Sequence, residues 1–527
     1  MNSLAGRVCR VVVCLASMGL ALPAMAQAGD VQVIQEVKHD TSPPLREIEP
    51  LLPEYAAPYE VPNKDWDKMP WDGVEREDPV LQSEALAKPS PPILLQFAGL
   101  GDTDPFFCNC EPPDTEGAPG ATQYVQFVNL SFEVFSKTGA RLHGPVPGNN
   151  LWSGFGGPCQ TDNNGDPIVR FDAMAQRWVL SQFAVSSGPP FFECVAVSTT
   201  ADATGSYHRY AFQFSNFPDY PKMAVWPDAY YFTFNNFDPT GSFFVGADAC
   251  AANRTNMLAG LATTMQCFQQ GNSIFGMLPS DLDGPTKPAA GTQNFIINLG
   301  MNALRLWKFH VDFVNPQNSR LTGPTTISVA AFTPLCPTQF RGQCVPQKGT
   351  TQVLESLGNR PMYRLVYRNF TGTGAHSTLL ISHSIKVGAN SGGVRWYEMR
   401  NPETTHTIFQ SGTFAPDGNV RWLPSIAMDK VGDIAVGYSK SSTTVFPSIL
   451  YAGRTPSDSL GTLEAEVNIK AGSGSENGTH SRWGDYSAMN IDPVDDCTFW
   501  YTNEYLDRSA DFVWRTQIAK TKFPNCH

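Results

Sequence analysis

Charge is scarce in this chain: Asp, Glu, Lys and Arg make up 16% of 527 residues, and only nine residues are histidine. So few charges do not solvate the polar faces of a helical bundle. The charge present is acidic, with a formal net of −12. Such a surface repels phosphate backbones, which excludes nucleic acid as the expected partner. Beyond the first 26 residues no apolar run reaches membrane-spanning length without a charge or a proline, so no transmembrane span is expected. The sequence has no G-x-S-x-G elbow, no H-E-x-x-H, no Walker loop and no dinucleotide fingerprint. The α/β-hydrolase, zincin, nucleotide-phosphatase and Rossmann chemistries go with them, and no cofactor is expected.

Turn formers and aromatics are abundant instead: 44 Gly, 42 Pro and 11% Phe, Trp and Tyr. That balance fits an all-β extracellular domain. The start fits the same compartment. Arg7 and Arg10 precede an apolar run and Ala24-Met25-Ala26, a signal peptide over 1–26 with cleavage before Gln27. A secreted or periplasmic chain is expected. Removing the leader takes Cys9 and Cys14 and leaves ten cysteines, an even number in an oxidising setting. Proximity pairs Cys159 with Cys194, Cys250 with Cys267, Cys336 with Cys344, and Cys497 with Cys526. Cys108 and Cys110 stay open: a bond inside "CNC" is strained, and the spacing otherwise suggests metal, without a companion cluster.

Residues 27–92 are rich in Pro and acids and read as an extension or linker, either disordered or laid along a surface. From about residue 93 short apolar strands alternate with turns. A repeat is visible in "GDPIVRFDAMAQRWVLSQF" (165–183), "DYPKMAVWPDAYYFTFNNF" (219–237), "NRPMYRLVYRNF" (359–370), "WLPSIAMDKVGDIAVGYS" (422–439) and "DYSAMNIDPVDDCTFWYT" (485–502). Pro, or Ser487 in the last copy, opens each strand, and the second and fourth residues after it are apolar. A later strand recurs as "FECVAVST", "SFFVGADAC", "LRLWKFHVD", "GVRWYEMRN", "SILYAGRTP" and "FVWRTQIAK". The spacing is that of four-stranded propeller blades. A single such sheet cannot bury both faces, whereas radial stacking covers them. The pattern predicts a β-propeller over 93–527, with seven four-stranded blades favoured over six or eight. "ILLQFAGLGD" (93–102) is expected to be the outer strand that closes the last blade. A two-sheet sandwich explains the repetition less well.

Chemistry is expected at the channel mouth. The third residue after each strand entrance is Arg170, Ala224, Arg364, Ala427 or Asn490. Arginine near the axis demands either an internal ion-pair network or an anion-binding channel. The entrances add Asp219, Lys222, Arg360, Trp422, Arg482, Trp483 and Tyr486, a cationic and aromatic set suited to an acidic glycan; wedging between blades is the structural alternative. Arg364, Tyr367 and His383 form a candidate trio for proton abstraction beside a uronate. Asp485 and Glu504 form a candidate carboxylate pair for glycoside hydrolysis. Asp162, Asn164 and Asp166 in "TDNNGDP" resemble part of a calcium loop, although Ala173 stands where its last acidic ligand belongs.

The phrases "LGNRPMYRLVYRNF" and "RWGDYSAMNIDPVDDCTFWYTNEY" resemble a group of exported bacterial proteins with sialidase-like (BNR-type) β-propellers, over about residues 95–526. The resemblance implies the fold and lends little chemistry. The Asp-box S-x-D-x-G-x-x-W of true sialidases is absent, and "SGTFAPDGNVRW" (411–422) has only its outline. The expected function is binding of an extracellular polymer, chiefly an acidic polysaccharide, by a monomer. The alternatives are a polysaccharide lyase or sialidase-like glycosidase on the same face, and a protein-interaction scaffold.

Overall fold

The computed structural model describes residues 30–51, 59–60, 69–102, 109–186 and 188–527. The expected leader and Cys108 lie outside them. The described chain is almost all strand, with helix confined to short turns such as Arg254–Ala259. Its strands fall into successive four-stranded antiparallel meanders, numbered here as units. Unit 1 spans 116–147, unit 2 168–214, unit 3 217–269, unit 4 278–328, unit 5 362–414 and unit 6 420–470. Unit 7 takes three strands from Ala488–Ile491, Thr498–Leu506 and Trp514–Lys522. Its fourth is Ile93–Gly101, which pairs antiparallel with Trp514–Lys522, as in Ile518↔Phe97. The strand Ile93–Gly101 therefore closes the last unit, as expected for ILLQFAGLGD.

The first strand of each unit packs on the first strand of the next, and that of unit 7 packs back on unit 1, Glu116–Pro119. These strands form a closed ring, and the fold is a β-propeller. Both faces of each sheet meet a neighbour, which explains why the second strands are buried along most of their length. Ala229–Phe237 of unit 3 is buried at every position. Aromatic rings cross the interfaces: Phe214 meets Phe234 at 5.2 Å between units 2 and 3, and Tyr231 meets Phe309 at 5.3 Å between units 3 and 4. Rings that bury 150–250 Å² each dominate such interfaces. A Cβ at Gly437 of unit 6 would collide with the ring of Tyr501 of unit 7, so that approach requires glycine.

The extension before residue 93 is partly structured as strand. Gln32–Thr41 pairs antiparallel with the fourth strands of both unit 2 and unit 3 and joins the two sheets. Leu81–Gln82 adds to the edge of unit 5, and Leu86–Pro89 pairs with Glu464–Ala465. The arm thus covers outer edges that would otherwise offer unpaired backbone groups. Cys159–Cys194, Cys250–Cys267, Cys336–Cys344 and Cys497–Cys526 are disulfide-bonded. No helix among the described residues is long and apolar enough to cross a membrane.

Candidate functional site

The axis is built from the first strands, and its middle is an ion-pair network. Asp281 of unit 4 bridges two arginines from opposite sides, with Oδ2 lying 2.6 Å from Arg170 Nη2 and 2.8 Å from Arg364 Nε. Its Oδ1 accepts the backbone N–H of Val225 in unit 3 (2.8 Å). Arg364 also pairs with Asp283 and donates to Met489 O (2.9 Å) and Asn490 Oδ1 (3.0 Å). Arg170 donates to the same Asn490 oxygen, and Asn490 Nδ2 donates to Gly117 O (2.7 Å). Ser425 of unit 6 accepts the N–H of Met489 (3.0 Å). One network therefore laces every unit of the ring. Of the two readings that the arginines left open, the internal network is present.

It is not fully satisfied. Arg170 Nε, Asp283 Oδ2 and both oxygens of Glu116 are buried without a hydrogen-bond partner. Burial pushes the Glu116 carboxyl up to about 8, against the pull of Arg170, Arg364 and Lys222. It is neutral at pH 7. Because its ordinary value is near 4.5, the folded state holds this proton more tightly than the unfolded state does. The stability it contributes is complete below about pH 4.5 and is lost as the pH rises to about 8. Glu116→Gln should leave the denaturation midpoint at about pH 4 nearly unchanged. At pH 9 it should stabilise the protein relative to wild type, by on the order of a few kcal/mol. Equal differences at both pH values would refute the buried neutral acid.

At the end of the ring where first strands run into their first turns, the axis opens into a pit of about 310 Å³. Its lining comes from units 1, 2, 4 and 7, on opposing sides of the ring. Arg170, Asn490 and Asp283 lie deep in it, and Phe171, Leu282 and Ile491 form apolar wall. Gln176 and Lys287 are exposed at the rim. Lys287 has no ion-pair partner among the described residues, whereas Asp496, whose carboxylate lies beside Gly284, is held bidentately by Arg368 at 2.9 and 2.5 Å.

The opposite end, where the chain enters the first strands, is closed. Tyr220, Tyr363 and Tyr486 meet edge to face, with Tyr486 6.3 Å from Tyr220 and 6.4 Å from Tyr363. The Lys222 ammonium sits 3.4 Å from the Tyr220 ring centroid and 4.1 Å from that of Tyr486, and donates to Pro221 O (2.8 Å). Arg360 stacks on the other side of the cluster, 4.6 Å from the Tyr220 centroid. Burial pulls Lys222 down to about 8, opposed by Asp166, Asp114 and Asp485. Burial likewise pushes Asp166 up to about 6, opposed by Lys222. Arg482 pairs with Glu355 and, at 2.7 Å, with Asp485; Asp485 N–H donates to Asp114 Oδ1 (2.7 Å). Trp422 and Trp483 face each other at 5.6 Å, both buried. Glu504 accepts the N–H of Gly484, and burial raises its carboxyl well above the usual range. Asp219 is buried at the same end.

The residues expected at the strand entrances are therefore brought together, but as packed interior. Their counter-ions close the surface that stacking on a sugar would use. The Arg364, Tyr367 and His383 trio is not assembled. Arg364 is in the axial network, and Tyr367 donates to Glu403 (2.7 Å). His383 is fixed against Tyr397 (3.0 Å), its basicity pushed well down by burial and by Arg395. The "TDNNGDP" residues also part company. Asn164 Oδ1 accepts the N–H groups of Val185 (2.7 Å) and Ser186 (3.1 Å), Asp162 accepts the Thr161 hydroxyl (2.9 Å), and Asp166 faces Lys222. A turn, not a gathered ligand set, explains them. Glu111, His480 and Asp511 do gather, with ligand atoms within 4.8 Å of one another.

No family model and no curated protein matches the chain. Solved structures similar in outline include the phage phi92 endosialidase (8% identity, TM-score 0.37, covering 66% of each chain). The exo-beta-1,3-galactanase 1,3Gal43A from Clostridium thermocellum is another (10%, 0.31, covering 81% of this chain and 86% of that one). So is the N-terminal domain of Nup159 (8%, 0.35, covering 83% and 98%). Similarity this low carries no functional argument.

Proposed function

We propose that the protein binds an extracellular acidic polysaccharide, and that the axial pit on the first-turn face receives it. The observation that carries this is the pair of cations at the pit. In a chain of net −12, Arg170 and Lys287 line it beside Asp283 and Asp496, whose carboxylates Arg364 and Arg368 hold from behind the lining. Arg170 lines the pit, and Lys287 is exposed at the rim with no ion-pair partner among the described residues. A guanidinium N–H and an ammonium are suited to a carboxylate. Phe171, Leu282 and Ile491 supply apolar wall for the faces of a sugar ring. The bonded cysteines support a setting outside the cytoplasm.

The test is Lys287→Glu, a surface change that leaves the network intact. Affinity for polygalacturonate or alginate should fall by about tenfold, roughly one lost charge contact. The melting temperature should not move. Carboxyl-reduced polymer should bind neither form. Unaltered affinity in the variant, or equal affinity for the reduced polymer, would turn the account toward the protein-scaffold alternative. A hydrolase or lyase reading of the same pit predicts new reducing ends or ultraviolet-absorbing products in that titration.

A further inference from the structure

The pit is blind. Below its floor the axis is filled by Glu116, Asp281 and Arg364, none of them exposed, and beyond these by Tyr220, Lys222, Tyr363 and Tyr486, at most 3% exposed. Two of those tyrosines are pinned by their hydroxyls, Tyr363 to Met223 O (2.7 Å) and Tyr486 to Pro167 O (3.0 Å). No ligand passes along the axis. The walls rise on several sides, from the Ala173–Gln176 turn, the Gly284–Lys287 turn and Pro493. At about 310 Å³ the cavity is at the small end of ligand pockets. A chain lying across its mouth would touch Gln176 and Lys287 but would not reach Arg170, which is 5% exposed.

We infer that the pit recognises the end of an acidic polysaccharide, a terminal uronate whose carboxylate faces the Arg170 guanidinium at the floor, and not an internal stretch of the chain. This rests on the acidic-saccharide reading above and narrows it. An internal sugar has two glycosidic neighbours, and a blind pit gives an exit to only one. A terminal sugar enters with its carboxylate leading and leaves the rest of the chain outside, past Lys287.

The experiment is a calorimetric titration with galacturonate oligomers of two to six sugars, with intact polygalacturonate, and with the matching alginate series. Affinity per chain should level off by the trisaccharide. Per sugar, a polymer of about 100 residues should then be roughly 30-fold weaker than the trisaccharide, because each carries one end. Affinity per chain that grows in proportion to length would overturn end recognition while leaving acidic-polymer binding standing. No heat from any member of either series would overturn both. Lys287→Glu assigns the signal: loss of the oligomer response places it in the pit, and full retention there contradicts the inference.

Discussion

Asp281→Ala should cost about 3–5 kcal/mol of stability, the largest single-residue effect in the protein. The carboxylate is buried between Arg170 and Arg364, which come from units 2 and 5. Removing it leaves two buried guanidinium groups short of a counter-charge. Arg364 keeps Asp283, but Arg170 keeps only Asn490. The Val225 N–H loses its acceptor as well. Asp281→Asn retains shape and an amide oxygen for that N–H, and should lose less, on the order of half as much. Urea midpoints of the three proteins check the ordering. A change below about 1 kcal/mol for the alanine variant would show that water already neutralises these arginines.

The second large effect concerns closure of the ring. A chain starting at residue 110 lacks Ile93–Gly101 and leaves Trp514–Lys522 as an open edge. It also removes Leu100, whose N–H donates to Gln126 Oε1 (2.7 Å) and whose carbonyl accepts from Thr516 (2.6 Å). That chain should be insoluble or unfold without a cooperative transition, since an exposed apolar edge pairs with other chains. A chain starting at Ser90 keeps the closing strand and drops the arm. It should fold, with a lowered midpoint, because the fourth strands of units 2 and 3 lose the strand between them. Soluble, cooperative folding of the shorter chain at the full-length midpoint would contradict closure by this strand.

Much of this architecture was legible because interfaces between units demand apolar residues on both strand faces. The recurring stretches FECVAVST, LRLWKFHVD and FVWRTQIAK each fall on the third strand of a unit. The disulfides followed from proximity because each joins neighbouring segments of the sheets or loops. Leu278–Asp283, the first strand of unit 4, escaped the repeat for an electrostatic reason. It carries Asp281 and Asp283 to answer Arg170 and Arg364, and two acids break the apolar alternation used to find its relatives. Glu116–Pro119 escaped because its residues, Glu-Gly-Ala-Pro, carry no alternation of large apolar side chains. The proposed site lies at the other mouth from the one expected. Arg482, Trp483 and Tyr486 look ligand-directed until Glu355 arrives from the short strand Val353–Glu355, 127 residues away, to neutralise the arginine. Lys287 and Gln176 sit in turns, where no pattern distinguishes a binding residue from a solvated one.

The central claim is that ligand enters at the first-turn mouth of the axis. A crystal of the protein soaked with a galacturonate trisaccharide tests it most directly. Density is expected for a sugar in the pit, its carboxylate against the Arg170 guanidinium and the rest of the chain leaving past Lys287. Density instead at the strand-entrance face, beside Trp422, Trp483 and Arg482, would contradict it.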